Sequence, residues 1–495
     1  MKVVFRVDAS SQLGFGHLMR CLTLANSLAQ CGVECIFICR EMSGFQPDKI
    51  ESQGYRLYYL TAQSNSDETG DAQATLEILT TLTPSWLIVD HYHLNSEWQH
   101  TIKQGGGLAR TKLMVIDDLC RPAPYADLLL DQSLGRQDTD YKHLPAECKL
   151  ALGVDYTLLN AAFIEQRAAA EAKRRHFAHR ELLVSIGATD PLNLTQLVID
   201  GLAYLSAEIY PKVTIVLSKS APYLNHVELA IAQQHNRNII LIKDATNMAS
   251  LMLNADFAIG ACGTSSWERA CLGLPCLSFV SADNQVFISQ SMHKAGLCQL
   301  VDADISPQQL AQQLTLTSQP DIAKAMSQAG FNMISGQGCQ RLVTTLFKSS
   351  PLEVKLRPFL ASDEAQIFQW QQAPNIRQFA RTPTPPTWPE HQRWFQKMMH
   401  NDDHNYIIQW NGLPCGLIRL TPQTEDWEVS ILIAQAFHGI GIASRALAEL
   451  QCKHPVVMTA EISPLNKASI KLFLQAGFYP ISLDQYRYTG DKLNA

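Results

Sequence analysis

Two glycines, a histidine and an arginine fall close together in "GFGHLMR", residues 14–20, a short distance after the apolar run "KVVFRVD". Gly14 and Gly16 permit a tight turn out of a strand. The helix that follows points its free N–H groups and positive dipole end at whatever lies beyond the strand, which makes an anion site. Such a turn needs only backbone, so His17 asks for a separate reason. Imidazole has an ordinary pKa of about 6.5 and accepts a proton near neutral pH. The positive helix end favours its neutral form. Arg20 adds a cation one turn on. As a dinucleotide fingerprint the stretch is poor: Met19 stands at the third glycine position, and no suitable acidic residue ends the second strand. Asp90 and His91 in "LIVDHYH" and the pair Asp117 and Asp118 in "VIDDLC" end further predicted strands, on the side where α/β sheets bind ligands. The acidic pair suggests a metal, but no second cluster completes an octahedral set, and none is expected.

The elements that position these residues alternate. "KVVFRVD", "ECIFICR", "WLIVDHY", "KLMVIDD" and "DLLLDQS" are predicted strands, separated by helical periods such as "HLMRCLTLANSLAQCG". A helix-rich, charged connector, "FIEQRAAAEAKRRHFAHR", leads to a second series: "ELLVSIGATD", "KVTIVLS", "NIILIKD", "DFAIGACG" and "PCLSFVS". Alternation of this kind predicts parallel sheets with helices on both faces. After a polar hinge at Ser349, Ser350 and Pro351 the pattern changes. "NYIIQW" and "LPCGLIRL" flank Asn411-Gly412, a hairpin signal. "WEVSILIA", a glycine-opened helix "GIGIASRALAELQC", "VVMTAEIS" and "NKASIKLFLQAGF" follow. The fold class expected is therefore α/β, with two Rossmann-like domains (1–165 and 166–348) facing a cleft in a GT-B arrangement, followed by an α+β domain (352–495).

With 495 residues the chain is long enough for about three domains. A net charge of -6 without a long basic run argues against a nucleic-acid partner or an anionic membrane. No apolar stretch approaches the roughly 20 residues of a membrane span, and no signal peptide is visible. The cysteines, 13 in number, lack CxxC or zinc spacing and read as reduced core thiols of a cytoplasmic protein.

The segments "RVDASSQLGFGHLMRCLTLA", "LIVDHYHLNSEWQ", "VIDDLCRPAPYADLLLDQ" and "LGVDYTLL" together resemble the pseudaminic acid pathway hydrolases of UDP-2,4-diacetamido-2,4,6-trideoxy-β-L-altropyranose. "LLVSIGATDPLNLT" resembles the family's second-half strand and turn. "ADFAIGACGTSSWERACLGLPCLSF" with "ADNQ" resembles the uridine-binding part shared with the peptidoglycan N-acetylglucosaminyltransferase. The resemblance spans about residues 1–345. It implies that Gly263, Thr264 and Ser265 offer N–H groups and hydroxyls to a diphosphate at a helix start. It further implies that Glu268 accepts from the ribose hydroxyls, and that Asn284 and Gln285 reach sugar or phosphate. His17 would then be the base for a water attacking the anomeric carbon, with Gly14, Gly16, Arg20 and Asp90 around the substrate.

"HGIGIASRAL" resembles the pyrophosphate loop of the GNAT acetyltransferases, with His438, Gly439, Gly441 and Ala443 at the loop positions. "NKASIKLFLQAGF" resembles a later GNAT segment, placing Asn466 and Ser469 at the cofactor. "EHQRWFQKMM" matches the sugar N-acetyltransferase branch. The resemblance implies acetyl-CoA as cosubstrate and a UDP-amino sugar as acceptor. Glu428 is the candidate for taking the amine proton. Phe473 stands where many relatives carry a tyrosine acid, and cannot donate a proton. The expectation is a bifunctional enzyme that acetylates the 4-amino group and then hydrolyses the product. A GT-B glycosyltransferase, or a hydrolase with a non-catalytic GNAT-like module, remains the alternative.

Overall fold

The computed structural model describes residues 1–10, 14–60, 67–105, 108, 110–176, 180–280, 285–350, 353–373, 376–400 and 403–490. The chain forms two compact units, one of residues 2–27 and 34–342, the other of residues 1, 28–33 and 343–495.

The first unit holds two sheets. β1 (Lys2–Val7), β2 (Glu34–Arg40), β3 (Arg56–Leu60), β4 (Trp86–Asp90), β5 (Lys112–Ile116), β6 (Leu128–Asp131) and β7 (Lys149–Leu152) pair in the order 3-2-1-4-5-6-7, all parallel. β8 (Glu181–Ser185), β9 (Lys212–Leu217), β10 (Asn238–Lys243), β11 (Phe257–Ala261), β12 (Cys276–Phe279) and β13 (Gln299–Val301) pair in the order 10-9-8-11-12-13, again all parallel. Central strands such as "WLIVD" and "FAIGA" are buried along their whole length, as a sheet covered on both faces requires. Leu87, Val89, Leu113 and Val115 pack against Trp98 in one core, and Val184, Ile215 and Ile259 anchor another.

In each sheet the strand order reverses once, between β1 and β4 and between β8 and β11. Chain leaving those strands at their carboxyl ends splits to opposite sides and opens a crevice. Gly14 to Arg20 and Asp90 stand at the first switch point. Gly187, in the left-handed region at φ 94°, and Gly263 to Glu268 stand at the second.

Beneath the first switch point lies a charged network. Arg6, wholly buried, is gripped by Asp8 and Asp71, each at 2.5 Å. Asp71 also accepts from Arg40 and Trp98. Asp8 accepts the Arg40 amide at 2.7 Å and faces His91 Nε2 at 3.1 Å. An ion network out of water persists only when its members are mutually satisfied, and this one is so across four elements.

The connector helix, Ala161–Lys173, is N-capped by Asn160. Arg167 and Arg174 fasten it to carbonyls of the second half, at Cys271, Ile334 and Phe331 and at Ala255 and Met252.

The second unit carries a mixed sheet. β14 (Val354–Pro358), β15 (His404–Trp410), β16 (Leu413–Pro422), β17 (Trp427–Ile433), β18 (Met458–Glu461), β19 (Tyr479–Pro480) and β20 (Gln485–Tyr488) pair in the order 14-15-16-17-18-20-19. Asn411 and Gly412 both take positive φ, 47° and 82°, the mirror-image turn that suits the twist of a two-residue hairpin. β17 and β18 run parallel but share only the registers Trp427–Met458 and Glu428–Thr459. Beyond them, Val429 to Ile433 pair on the β16 side alone, and the two strands part.

Candidate functional site

Gly14 sits at φ 75° and its amide donates to Ser10 O at 2.9 Å, closing the turn before the helix Gly16–Ala29. His17 therefore lies in the first helical turn, with its side chain 15% exposed. Its Nδ1 is 2.6 Å from Asp90 Oδ1. Arg20, one turn on, donates from Nε to Asp90 Oδ2 at 2.5 Å and from Nη2 to Asp90 Oδ1 at 2.6 Å. Arg20 Nη1 reaches Asp118 at 3.1 Å, and Asp118 accepts the Tyr92 hydroxyl at 3.0 Å. The Tyr92 ring meets His17 edge to face at 4.5 Å.

The electrostatics follow from this geometry. Burial alone would raise the Asp90 carboxyl, but the Arg20 charge, with hydrogen bonds from Arg20 and His17, holds it well below the usual carboxylate range. Burial opposes the charge on Arg20, and Asp90 and Asp118 outweigh it, so this guanidinium stays protonated. An ionised Asp90 at 2.6 Å assigns the imidazole proton to Nδ1. Arg20 Nη2, 3.0 Å from Nδ1, then spends its proton on Asp90. Nε2 keeps a free lone pair and, among the described residues, has no hydrogen-bond partner. An imidazole whose Nδ1 is tied to a buried carboxylate has, when neutral, one tautomer, the arrangement of a general base.

Across the crevice, the helix Thr264–Cys271 begins after Gly263. A Cβ on Gly16 would come within 3.8 Å of Thr264 Oγ1, so the two turns face each other at close range. Arg136 lies 4.0 Å over the Phe287 ring and ties the halves together nearby. Buried Arg269 supports the second turn, donating to Ala261 O at 2.8 Å and to the hydroxyls of Ser265 and Ser266. Gly260 makes room for it: a Cβ there would sit 2.6 Å from Arg269 Nη1. Burial pushes the Glu268 carboxyl up to about 7, against the pull of Arg269. Among the described residues that carboxyl has no hydrogen-bond partner. Gln285 caps the helix Val286–Lys294 near Gly263, while Asn284 lies outside the described residues.

In the other unit, Gly439 and Gly441 take φ 74° and 87°, and Gly441 caps the helix Ile442–Lys453, with Ala443 in its first turn. A Cβ on Gly439 would meet nothing within 4 Å, so backbone and open space lie together there. His438 Nε2 is bound to Ile433 O at 2.8 Å. Asn466 caps the helix Lys467–Gln475 by accepting the Ser469 amide. Glu428 is on β17 where the strands part. Phe473 is buried and packs edge to face on Phe478 at 4.9 Å, a core contact.

Comparison with known proteins places both parts of the chain among known families. The chain is 30% identical over 256 residues to the UDP-2,4-diacetamido-2,4,6-trideoxy-beta-L-altropyranose hydrolase of Campylobacter jejuni, covering 51% of this chain and 81% of that one. The chain belongs to this hydrolase's family. The hydrolase-family part also overlaps, at residues 208–295, a protein family of unknown function, DUF354. Residues 353–479 match the acetyltransferase (GNAT) domain. An uncharacterized protein of Methanocaldococcus jannaschii is 22% identical over 97% of this chain and 96% of its own length. Among solved structures, MurG of Acinetobacter baumannii superposes on 70% of this chain and 100% of its own with a TM-score of 0.53 at 14% identity, which is a likeness of fold.

Within the hydrolase-family part, the structure brings His17, Arg20 and Asp90 into direct contact and sets the turn of Gly14 and Gly16 against Thr264, with Gly263, Ser265 and Glu268 on the same second turn and helix. Asp118 and Tyr92 complete the first cluster. Tyr92 follows Asp90 by two residues, a strand-end position that could have signalled it. Asp117 instead accepts from the Leu119 and Arg121 amides and from Arg121 Nε, and so shapes its own loop. His91 belongs to the Asp8 network. Among the described residues no group of His, Cys, Asp and Glu is arranged to hold a metal, and no helix is long and apolar enough to cross a membrane.

Proposed function

We propose that residues 1–348 hydrolyse UDP-2,4-diacetamido-2,4,6-trideoxy-β-L-altropyranose to the free sugar and UDP, and that residues 352–495 acetylate the 4-amino group of its precursor with acetyl-CoA. The carrying observation is the His17 imidazole with Nδ1 on Asp90 and Nε2 without a hydrogen-bond partner among the described residues.

UDP departs readily, so the reaction needs a water, a base and donors for the diphosphate. The helix start at Gly263, Thr264 and Ser265 supplies N–H groups and hydroxyls. The ionised Glu268 accepts from the ribose hydroxyls, and Gln285, with Asn284, reaches the sugar or phosphate. Water approaches the anomeric carbon from the face opposite UDP, where charge is oxocarbenium-like. Its proton passes to His17 Nε2 as the new C–O bond forms and the bond to the diphosphate oxygen breaks. Asp90 steadies the imidazolium that results, and Arg20 keeps Asp90 ionised.

In the acetyltransferase domain the fit to acetyl-CoA rests on the open backbone at Gly439 and Gly441 and on the parting of β17 and β18. His438, Gly439, Gly441 and Ala443 would hold the pyrophosphate, and Asn466 and Ser469 the region next to it. When bound, acetyl-CoA supplies an activated acetyl group. Glu428 would take the acceptor's proton through water.

His17→Asn tests the first half. UDP release from the diacetamido nucleotide should fall by about 10²–10⁴-fold with acetyl transfer retained. Hydrolysis at the wild-type rate would refute the assignment. A requirement for a second sugar as acceptor would favour a glycosyltransferase using the same crevice.

A further inference from the structure

Glu428 and Glu461 stand on β17 and β18 where these strands part, and register puts them on one face: Glu428 lies beside Thr459, and Glu461 is two residues further along. Arg381, from the chain between the helices Glu364–Gln372 and Trp388–His400, reaches across both. Its Nη2 is 2.5 Å from Glu428 Oε1 and 2.5 Å from Glu461 Oε2, and its Nε is 3.0 Å from the latter. The arginine side chain is 61% exposed. So exposed a bridge binds weakly, and another cation can take its place.

The same stretch of chain walls a cavity of about 380 Å³, lined by Arg377, Thr382, Thr384, Glu390 and Trp394 among others. Arg419, on β16, lies with its guanidinium 5.8 Å from the Trp394 ring centroid. It shares the sheet face of Glu428, since Thr421 opposes Glu428 and Arg419 is two residues back. Its Nε is buried with no hydrogen-bond partner. A half-buried guanidinium with an unused N–H, next to Trp394 of the cavity wall, is suited to an anion. The orphaned donor and the bridged carboxylates thus share one face of one sheet, and Trp394 of the cavity wall packs beside that donor.

We infer that Arg381 occupies the place of the acceptor's ammonium group, and that an acceptor carrying both an amine and a phosphate exchanges with it. The amine displaces Arg381 from Glu428 and Glu461. Released, Arg381 joins Arg377 and Arg419 in pairing with the phosphate beside Trp394. The inference rests on the acetyl-transfer reading of this domain and adds Glu461, Arg381, Arg377 and Arg419 to it as residues that select the acceptor. An amine without phosphate must expel Arg381 with no return, whereas one joined to a diphosphate offers Arg381 a new partner. In the transfer itself the ammonium first loses a proton to Glu428 through water. The C–N bond forms, the C–S bond of the thioester breaks, the departing thiolate takes a proton from solvent, and one proton is released net.

The test is steady-state acetyl transfer by the full chain to a free 4-amino-4-deoxy sugar and to the same sugar linked to UDP. Arg381→Gln should lower KM for the free sugar by about two- to fivefold, the scale of an exposed ion pair. The same change should raise KM for the UDP-linked sugar by at least as much. Glu461→Gln should raise both. Shifts of the same sign for Arg381→Gln on the two sugars, or none, would overturn the exchange. If the wild-type chain acetylates neither sugar, the acetyl-transfer reading fails. Calorimetric titration of the free amino sugar then decides the exchange on its own: tighter binding to Arg381→Gln upholds it, and equal or weaker binding overturns it.

Discussion

Asp90 Oδ1 lies 2.6 Å from His17 Nδ1, and the same carboxylate accepts two bonds from Arg20 across 70 residues of chain. Three side chains thereby fix one another: the acid stays ionised, the imidazole keeps one tautomer, and the guanidinium is neutralised.

Asp90→Asn should therefore fail twice. An amide can present its carbonyl or its NH₂ to His17, so the tautomer is no longer dictated, and kcat for UDP release should drop by about 10²–10⁴-fold. Arg20 is left buried without its main counter-charge, which should cost about 3–5 kcal/mol of stability. Urea unfolding and UDP release on the same preparation check both. Unchanged turnover in a stable variant would contradict the role given to Asp90.

Glu268 couples nucleotide binding to pH. Burial pushes its carboxyl up to about 7. If the ionised form accepts from the ribose, UDP affinity should weaken as pH falls through 7, and Glu268→Gln should remove that dependence. The stability of the free protein runs the other way. Between the unfolded value near 4.5 and the folded value near 7 the folded state binds the extra proton. This group thus destabilises the fold most above pH 7 and progressively less on acidification. UDP affinity that is flat from pH 6 to 8 would count against Glu268 as the ribose partner.

Gly260→Ala should loosen the turn at Gly263 to Ser266 from behind. The added methyl would lie 2.6 Å from Arg269 Nη1 and 3.0 Å from Ser185 O. Arg269 must then leave Ala261 O and the two serine hydroxyls. A loss of about 1–3 kcal/mol, as for other overpacked cores, together with weaker UDP binding, is the expected outcome in thermal unfolding and titration. Unchanged melting and affinity would show that Arg269 does not depend on this space.

The acetyltransferase sheet should weaken in mild acid. His454 stacks on His404 at 4.3 Å, its Nε2 meets the Tyr406 hydroxyl at 2.8 Å, and Lys453 lies over the Tyr406 ring. Burial, then His404 and Lys453, lowers the His454 pKa. As pH falls below about 6.5 the unfolded chain takes a proton that the folded state refuses, so stability declines. His454→Gln should lessen the difference between unfolding midpoints at pH 7.5 and 5.5. An equal difference in both proteins would assign the acid sensitivity elsewhere.

Much of this architecture is legible from residue order because the long buried strands are nearly continuous apolar runs. β3, "RLYYL", escapes that reading because it is an edge strand with Arg56 exposed and only Leu60 buried. β7, β13, β19 and β20, of two to four residues each, escape as well. The His17 turn is legible because glycines and a helix start are local features. The grip of Arg20 on Asp90 is not, since it joins residues 70 apart. The bridge from Arg381 to Glu428 and Glu461 spans 47 and 80 residues and is equally invisible in sequence. Phe473 reads in sequence as a lost acid; in the fold it is a packed core ring.

The central claim is water attack at the anomeric carbon in the crevice of His17. The most direct measurement is turnover of UDP-2,4-diacetamido-2,4,6-trideoxy-β-L-altropyranose by the purified full chain in ¹⁸O-water, read by mass spectrometry. The account predicts UDP release without any added acceptor, with the heavy oxygen in the sugar's anomeric hydroxyl and none in UDP, and loss of both products in His17→Asn. Label in the β-phosphate of UDP, or release only when a second sugar is added, would contradict it.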